Sequence, residues 1–365
     1  MAKAHKKVKS ALPDYLVSPG EILEEFLDHL GMSQAELASR TGLAKKTVNE
    51  IIKGKAPVTM DTAIKLERVL SRPAHYWTKL ESQYQEDKIR LSEKERLQEN
   101  LSWLSNFPIR QMVKLGWLPQ SKDKVEQLEE LLRFFGIASP AQFDDVWERY
   151  NVAFRQSSHG KKSKEAICAW LRKGYIEAQK IPKCGYDPSK FKQVLAEIRE
   201  LTLEEKPDRF IAKLTELCAT AGVLTVFVQE LLGTSISGAT RWEGNNPIIQ
   251  LSLRYKSNDQ LWFSFFHEAG HILKHGRRGF FLEIEKPKDD KEVEADDFAR
   301  DQLIPSHTYQ RFIQDRHYTL DHIRTFARSV RIAPGIVVGR MQHERLIPFD
   351  TGNRLKVFYP WRTPE

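Results

Sequence analysis

Apolar positions recur at helical spacing through most of this chain of 365 residues. In residues 17–85 short helical repeats alternate with tight turns, and in residues 101–221 longer amphipathic segments are separated by prolines. Residues 86–100 keep the helical spacing but include few apolar side chains, which predicts an exposed helix or a linker. The pattern therefore predicts a mostly α-helical protein.

The pattern changes in two segments where β-branched and apolar residues gather. Residues 222–231 (GVLTVFVQEL) and 246–255 (NPIIQLSLRY) have the composition of strands. The turn-like segment between them, SISGATRWEG, has room for a further short strand, and helical spacing returns afterwards. We therefore predict an α+β fold that is mostly helical, with one small sheet.

Two short helices joined by a glycine-containing turn are predicted within residues 33–54. Ser33 can cap the first helix, and Glu36 three residues later can complete a capping box. Gly42 can adopt the positive φ that ends this helix. The second helix, about residues 44–52, turns its apolar side chains inward and its polar ones outward. This arrangement is typical of a helix-turn-helix bundle.

The outward face of the second helix is polar and basic, which fits the major groove of DNA. Lys45, Lys46 and Asn49 can reach base edges or phosphates. Gln34 and Thr47 are better placed for contacts to the DNA backbone. The alternative is a plain helical hairpin with a solvated lysine face.

The net charge of the chain favours a DNA-binding helix over a plain helical hairpin. The chain has 57 Lys and Arg against 49 Asp and Glu, a net charge of +8. Neutralising phosphates supplies much of the affinity of basic proteins for nucleic acid, so the helix-turn-helix and the charge together predict double-stranded DNA as a partner.

Composition also excludes several classes of protein. Cys168, Cys184 and Cys218 are odd in number and lack CxxC spacing, which argues against a disulfide framework and fits a cytoplasmic protein. No apolar run approaches the ~18 residues that a membrane span needs, so we predict no membrane segment. Residues 1–16 are rich in lysine and lack the apolar core of a secretory signal, which predicts a flexible basic arm.

A second candidate site begins with the segment HEAGH at residues 267–271. Histidines four residues apart lie on one face of a helix, so the imidazoles of His267 and His271 can bind one Zn²⁺. Glu268 lies beside them, where a carboxylate can take a proton from water and act as the catalytic base. The apolar residues 261–266 predict that this helix is buried.

A third ligand is expected from the acidic helix that follows, residues 292–300. Glu292 would complete a His-His-Glu set and leave the fourth position for water. Glu294 is the alternative ligand, but it lies about 200° around the helix from Glu292, so both cannot ligate one ion without distortion. A different interpretation is a surface acidic helix beside a pair of core histidines.

Two further side chains are predicted to contact the metal ligands without binding the metal themselves. Asp296 shares the helix face of Glu292 and can orient His271 or another ligand. His275 is expected to have a structural or supporting role of the same kind. No residue is assigned to stabilise an oxyanion, and the candidates are His307, Tyr309, Arg241 and His343.

The region around the predicted helix pair resembles the HigA-type antitoxins of the Xre-like helix-turn-helix class. The resemblance implies a homodimer on a palindromic operator and, in some members, partnership with a cognate toxin. Ala44 departs from the pattern, because such proteins usually have a serine or threonine cap at this position. The motifs that carry the resemblance are SPGEILEEFL (18–27), GMSQAELA (31–38), IKGKAPVT (52–59), DTA (61–63) and HYW (75–77).

The C-terminal half resembles the ImmA/IrrE family of metallopeptidase-like proteins. The resemblance begins near residue 166 and implies a thermolysin-like helix pair with a small sheet. It also implies cleavage of a regulatory protein in some members, whereas others act mainly by binding. The motifs are HEAGH (267–271), ExxAxxFA (292–299), LIP (303–305), APGIVVGR (333–340), SGATRW (237–242) and LSLRY (251–255).

These patterns predict a basic arm (1–16), a helix-turn-helix DNA-binding domain (17–85), a helical middle region (86–165) and an ImmA/IrrE-like zinc metallopeptidase domain (166–365). The favoured function is a DNA-binding transcriptional regulator, antitoxin-like, whose zinc endopeptidase cleaves a regulatory protein or itself. The alternatives are a HigA-like repressor whose metal domain binds or senses without proteolysis, and an enzyme whose helix-turn-helix only contacts proteins. Glu268 favours turnover, because a purely structural zinc needs no carboxylate between two ligands.

Overall fold

The computed structural model describes residues 16–147, 163–234, 236–252, 257–276, 281–282, 290–316 and 318–359. The chain divides into two compact units, Met1–Asn100 and Leu101–Glu365. The described residues are mostly helical, which confirms the fold class predicted from the apolar spacing. Among them, no helix is long and apolar enough to cross a membrane. The predicted basic arm lies outside the described residues, apart from Leu16.

The described part of the N-terminal unit holds five helices. They are α1 (Pro19–Leu30), α2 (Gln34–Thr41), α3 (Lys45–Ile52), α4 (Met60–Leu70) and α5 (Ala74–Glu99). The charged stretch predicted as an exposed helix or a linker is helical and forms the second half of α5, which runs unbroken from Ala74 to Glu99.

A small core holds the N-terminal unit together. Leu37 of α2 and Val48 of α3 are buried with Trp77 of α5, and Phe26 of α1 packs edge-on against that tryptophan. Burying these apolar side chains is the main force that fixes α3 against the other helices. Helices α2 and α3 are therefore held as the predicted helix-turn-helix pair.

One predicted cap is only half formed. Ser33 accepts a hydrogen bond from the Glu36 backbone N–H (3.1 Å), but the Glu36 carboxylate pairs with Arg40 (2.5 Å) instead of returning to the helix start. The prediction of a capping box at this helix was therefore wrong, because an arginine one turn later competes for the carboxylate. A complete box is present at the start of α1, between Ser18 and Glu21.

The C-terminal unit packs helices around a four-stranded sheet. The strands are β1 (Leu224–Phe227), β2 (Gly238–Glu243), β3 (Asn246–Leu251) and β4 (Phe281–Leu282), in the order β1-β3-β2-β4. Strand β3 pairs parallel with β1 and antiparallel with β2, and β4 pairs antiparallel with β2. The two predicted strands are present in shorter form, and the segment between them contributes a full strand, β2. Strand β4 was not predicted.

The helices of this unit fall into two groups along the chain. Before the sheet come α6 (Ile109–Lys114), α7 (Lys124–Phe135), α8 (Lys164–Ala178), α9 (Pro188–Glu200) and α10 (Pro207–Thr220). After β3 come α11 (Asn258–His275), α12 (Asp290–Leu303), α13 (Ser306–Gln314), α14 (Leu320–Ser329) and α15 (Pro334–His343).

A buried polar network joins α8 to the sheet. Arg241 of β2 donates to the Gln250 side chain of β3 (2.9 Å) and to the backbone oxygen of Leu171 (3.0 Å). Gln250 in turn donates to the backbone oxygen of Trp170 (2.7 Å). These bonds satisfy polar groups that would otherwise be costly to bury. Arg241 therefore has a structural role here.

Gly174 makes this network possible, because a Cβ at this position would lie 1.8 Å from Gln250 Oε1. We expect Gly174→Ala to displace the Gln250 side chain and lower the free energy of unfolding by about 2–3 kcal/mol, despite the higher helix propensity of alanine. Urea unfolding followed by tryptophan fluorescence measures this. Gly185→Ala is the control, because nothing lies within 4 Å of its added Cβ. Equal stability of the two variants would contradict the prediction.

Candidate metal centre and nucleic-acid interface

Helix α11 is a largely buried helix, and the polar side chains it buries include two histidines and a glutamate in its second half. Its apolar residues, among them Phe265 and Phe266, belong to the main core of the C-terminal unit. His267, Glu268 and His271 are 3%, 0% and 1% exposed, so the predicted burial of this helix is confirmed. Burying such groups is unfavourable unless each has a partner, so their surroundings decide what they can do.

Small residues let α12 approach α11 closely. A Cβ at Gly270 would lie 3.2 Å from the Cα of Ala295, and Ala295 and Ala299 are both fully buried. On the other side of α11, the Thr240 hydroxyl of β2 donates to the backbone oxygen of Glu268 (3.2 Å). The helix is thus held between the sheet and α12, with its histidines facing the acidic side chains of α12.

Three side chains meet between these helices. His267 Nε2 lies 3.0 Å from His271 Nε2 and 3.1 Å from Glu292 Oε2. The third distance, from His271 Nε2 to Glu292 Oε2, is 3.8 Å. Within the described residues, these three side chains are the group whose potential ligand atoms lie close enough together to hold one metal ion.

Asp296 fixes the proton on the far side of the first imidazole. Its Oδ1 lies 2.9 Å from His267 Nδ1. Because a carboxylate accepts, Nδ1 of His267 carries the proton and Nε2 keeps its lone pair. The sequence left open which ligand Asp296 orients, and in the structure it contacts His267.

A longer chain of contacts fixes the proton on the second imidazole. His275 Nε2 lies 3.0 Å from Glu294 Oε2, and His275 Nδ1 lies 2.9 Å from His271 Nδ1. With Nε2 of His275 donating to the carboxylate, its Nδ1 accepts from Nδ1–H of His271. His271 Nε2 therefore also keeps its lone pair. Glu294 contacts His275 rather than the three converging atoms.

The converging atoms therefore present lone pairs to one another, and a cation between them would remove the repulsion. A tetrahedral zinc ion with bonds of about 2.0–2.1 Å holds its ligand atoms about 3.3 Å apart. The three observed distances lie on either side of that value, so the residues present fit Zn²⁺.

The ionisation of the site agrees with this fit. Burial favours the neutral acid, yet the neighbouring His267 and His271 imidazoles hold the pKa of the Glu292 carboxyl well below its usual range. Burial also lowers the pKa of His271, which favours its neutral form. An anionic carboxylate and neutral imidazoles are the forms that bind a metal.

The four residues considered for an oxyanion role have other positions. His307 and His343 are exposed, and the His307 ring contacts the Thr308 hydroxyl. Tyr309 is buried under the Arg340 guanidinium, which lies 3.7 Å from the ring centre. Arg241 belongs to the network between α8 and the sheet. None of these contacts connects the four residues to the histidine–glutamate cluster.

In the N-terminal unit, α3 presents its polar residues at the surface. Lys45 and Lys46 are exposed, and Lys46 lies 3.7 Å from Glu50 in a weak ion pair. Thr47 and Asn49 are half-buried on the same helix. The helix begins without a side-chain cap at Ala44, as its sequence predicts, so its first backbone N–H groups have no acceptor from the cap side chain.

Gln34 completes the predicted nucleic-acid face. It is the first residue of α2 and is half-buried, beside the Ser33 cap. Exposed lysines and an uncapped helix start are features suited to phosphate contacts.

Two known protein families match this chain, one in each of its two units. A helix-turn-helix family model matches residues 23–77. The model of the IrrE N-terminal-like domain, from peptidase family M78, matches residues 221–341, which include the histidines of α11 and the acidic residues of α12.

Similar proteins cover the N-terminal unit. Virulence-associated protein I of Dichelobacter nodosus is 35% identical over 69 residues, which are 19% of this chain and 64% of that protein. An uncharacterized helix-turn-helix-type transcriptional regulator of Escherichia coli, YddM, is 36% identical over 64 residues, or 18% of this chain and 68% of that protein.

Among solved structures, the antitoxin HigA of Pseudomonas aeruginosa with the higBA promoter is 30% identical. The match covers 23% of this chain and 94% of that one, with a TM-score of 0.22. From the sequence relatives and the family matches, the chain belongs to the helix-turn-helix transcriptional regulators and carries an IrrE N-terminal-like domain in the same polypeptide.

Proposed function

We propose that this protein is a DNA-binding transcriptional regulator whose IrrE-like domain is a zinc-dependent endopeptidase that cleaves a regulatory protein or itself. The observation that carries the proposal is the convergence, 3.0–3.8 Å apart, of two imidazole lone pairs from the buried helix α11, which also bears Glu268, and one carboxylate from α12. A regulator that only binds DNA has no use for this arrangement.

In the proposed site His267, His271 and Glu292 hold the zinc ion, and Asp296 keeps His267 in the tautomer that binds. When bound, zinc supplies Lewis acidity, which polarises a peptide carbonyl and makes water a nucleophile near neutral pH. Three protein ligands leave one position open, as in catalytic rather than structural zinc sites.

Glu268 moves the protons. Its carboxylate takes a proton from the attacking water, whose oxygen forms a bond to the carbonyl carbon of the scissile peptide. The carbon–nitrogen bond then breaks, and Glu268 delivers the proton to the leaving amine. Water and peptide are thus converted to a carboxylic acid and an amine, and Glu268 returns to its starting form.

The N-terminal unit is proposed to bind an operator as a homodimer, with α3 of each copy in one major groove. Lys45, Lys46 and Asn49 would contact bases or phosphates, and Gln34 and Thr47 the DNA backbone. The exposed lysines and open backbone N–H groups of α3 support this proposal.

The second candidate function is a HigA-like repressor or antitoxin whose metal domain binds a partner or senses zinc without proteolysis. A sequence relative favours it, because YddM is described as a transcriptional regulator and is similar to the N-terminal unit alone. The two functions differ in what they require of Glu268, since only proteolysis needs a proton carrier.

The first prediction concerns the metal. His267→Ala and His271→Ala should each reduce bound zinc from about one ion per chain to almost none, and Glu292→Ala should weaken binding severely, because each removes a ligand. Glu268→Gln should keep its zinc. Elemental analysis of purified full-length variants measures this. Loss of zinc in Glu294→Ala with retention in Glu292→Ala would show that the ligand is on the other face of α12.

The second prediction concerns DNA. A duplex selected by the wild-type protein from a random pool should lose binding to Lys45→Ala/Lys46→Ala, and the salt dependence should flatten by about one unit of slope per lost phosphate contact. Asn49→Ala should relax the sequence preference. The matched control, Lys79→Ala/Lys94→Ala, removes the same charge from α5. Equal loss in both double variants would mean that net charge rather than α3 binds DNA.

The third prediction concerns catalysis. In cells with a reporter behind the selected operator, stress conditions are screened for one that relieves repression by the wild type. Glu268→Gln should keep repressing under that condition, and mass spectrometry should find new protein N-termini only with the wild type. Equal zinc content of the two proteins is the control. Equal derepression by both would favour the binding-only function.

A further inference from the structure

The two histidines of the metal centre have different support. His267 contacts a buried carboxylate directly, since Asp296 is 4% exposed. His271 contacts a second imidazole, and only beyond it a carboxylate, that of Glu294. The Glu294 side chain is 61% exposed, whereas that of His275 is 4% exposed. The second ligand is therefore connected to the protein surface through one buried ring.

We infer that His275 and Glu294 form a positioning relay that fixes the tautomer and ring orientation of His271. The inference rests on the proposed zinc site. It gives Glu294 a role other than that of a ligand, and it makes a surface carboxylate part of what sets zinc affinity.

The geometry supports each step of the relay. His275 follows His271 by one helical turn, so the two rings lie on one face of α11, with their centres 5.1 Å apart. Glu294 reaches the same ring from α12, at 3.0 Å. A neutral His275 whose Nε2–H donates to the carboxylate accepts at Nδ1, and the proton of His271 is thereby kept away from Nε2.

The consequence is that the ring of His271 is held in its metal-binding orientation before the metal arrives. Partners that orient a ligand commonly change metal affinity about 10- to 100-fold when they are removed. Without His275, the buried Nδ1–H of His271 would lose its acceptor, and the ring could turn or change tautomer. Without Glu294, His275 could itself present Nδ1–H and oppose the proton of His271.

The test is a zinc competition assay with a chromogenic chelator on the full-length chain. His275→Leu should weaken zinc binding about 10- to 100-fold, because it removes the acceptor and replaces the ring with an apolar side chain of similar volume. His275→Asn should recover most of this loss, since its amide oxygen can take the place of Nδ1. Failure of His275→Asn to recover any binding would show that the ring serves packing alone and would overturn the inference.

Glu294→Ala should weaken binding by less than His275→Leu. Asp297→Ala is the matched control, because it removes a carboxylate of similar exposure, 66%, from the same helix. An equal effect of Glu294→Ala and Asp297→Ala would reduce the role of Glu294 to general charge. In the His275→Leu background, removal of Glu294 should cause no further loss, because Glu294 acts through His275. Additive losses would also contradict the relay.

A spectroscopic measurement separates positioning from stability. The visible absorption bands of the cobalt-substituted protein report ligand geometry, and they should shift in His275→Leu and return in His275→Asn. Unchanged bands with unchanged zinc affinity in His275→Leu would overturn the relay alone, because the wild type would still bind metal. A wild type that binds neither ion would overturn the proposed site and the relay together.

Discussion

The close approach of α11 and α12 at Gly270 is the constraint on which the C-terminal site depends. Any side chain at Gly270 would press against Ala295 and separate the helices that carry the converging atoms. Their packing brings two imidazole lone pairs and the Glu292 carboxylate within 3.8 Å of one another, an arrangement that a cation relieves. Metal binding and helix packing are thus one equilibrium, so loss of either should weaken the other.

Helix α11 of the C-terminal unit and helix α3 of the N-terminal unit differ in how much of their polar surface is buried. In the C-terminal unit most of α11 is buried, and its polar contacts with β2 and α12 include the Thr240 hydroxyl on the backbone oxygen of Glu268 and the Asp296 carboxylate on His267. In the N-terminal unit α3 is held by Val48, Ile51 and Ile52, while its two lysines are exposed and its first turn has no side-chain cap. The first arrangement favours a reaction in a site sheltered from bulk solvent, and the second favours contact with a large anionic partner.

Much of this could be predicted because it depends on local spacing. Helical periodicity identified the helix-turn-helix pair, and the spacing of His267 and His271 identified one face of α11. Non-local contacts decided the rest. The Glu36 carboxylate pairs with Arg40 instead of the helix start. Strand β4 has only two residues, too few to show an alternating pattern. The contact between His275 and Glu294 depends on how α12 packs against α11. Which acidic residue of α12 faces the histidines was likewise set by tertiary packing.

The most direct measurement of the central claim is zinc-edge X-ray absorption on protein purified without chelators. A site of two histidines, one glutamate and a water predicts near-stoichiometric zinc with four nitrogen and oxygen neighbours at about 2.0–2.1 Å. It also predicts an imidazole scattering pattern from two rings and no sulfur. Protein without zinc, a first shell containing sulfur, or a closed shell of four protein ligands would contradict it.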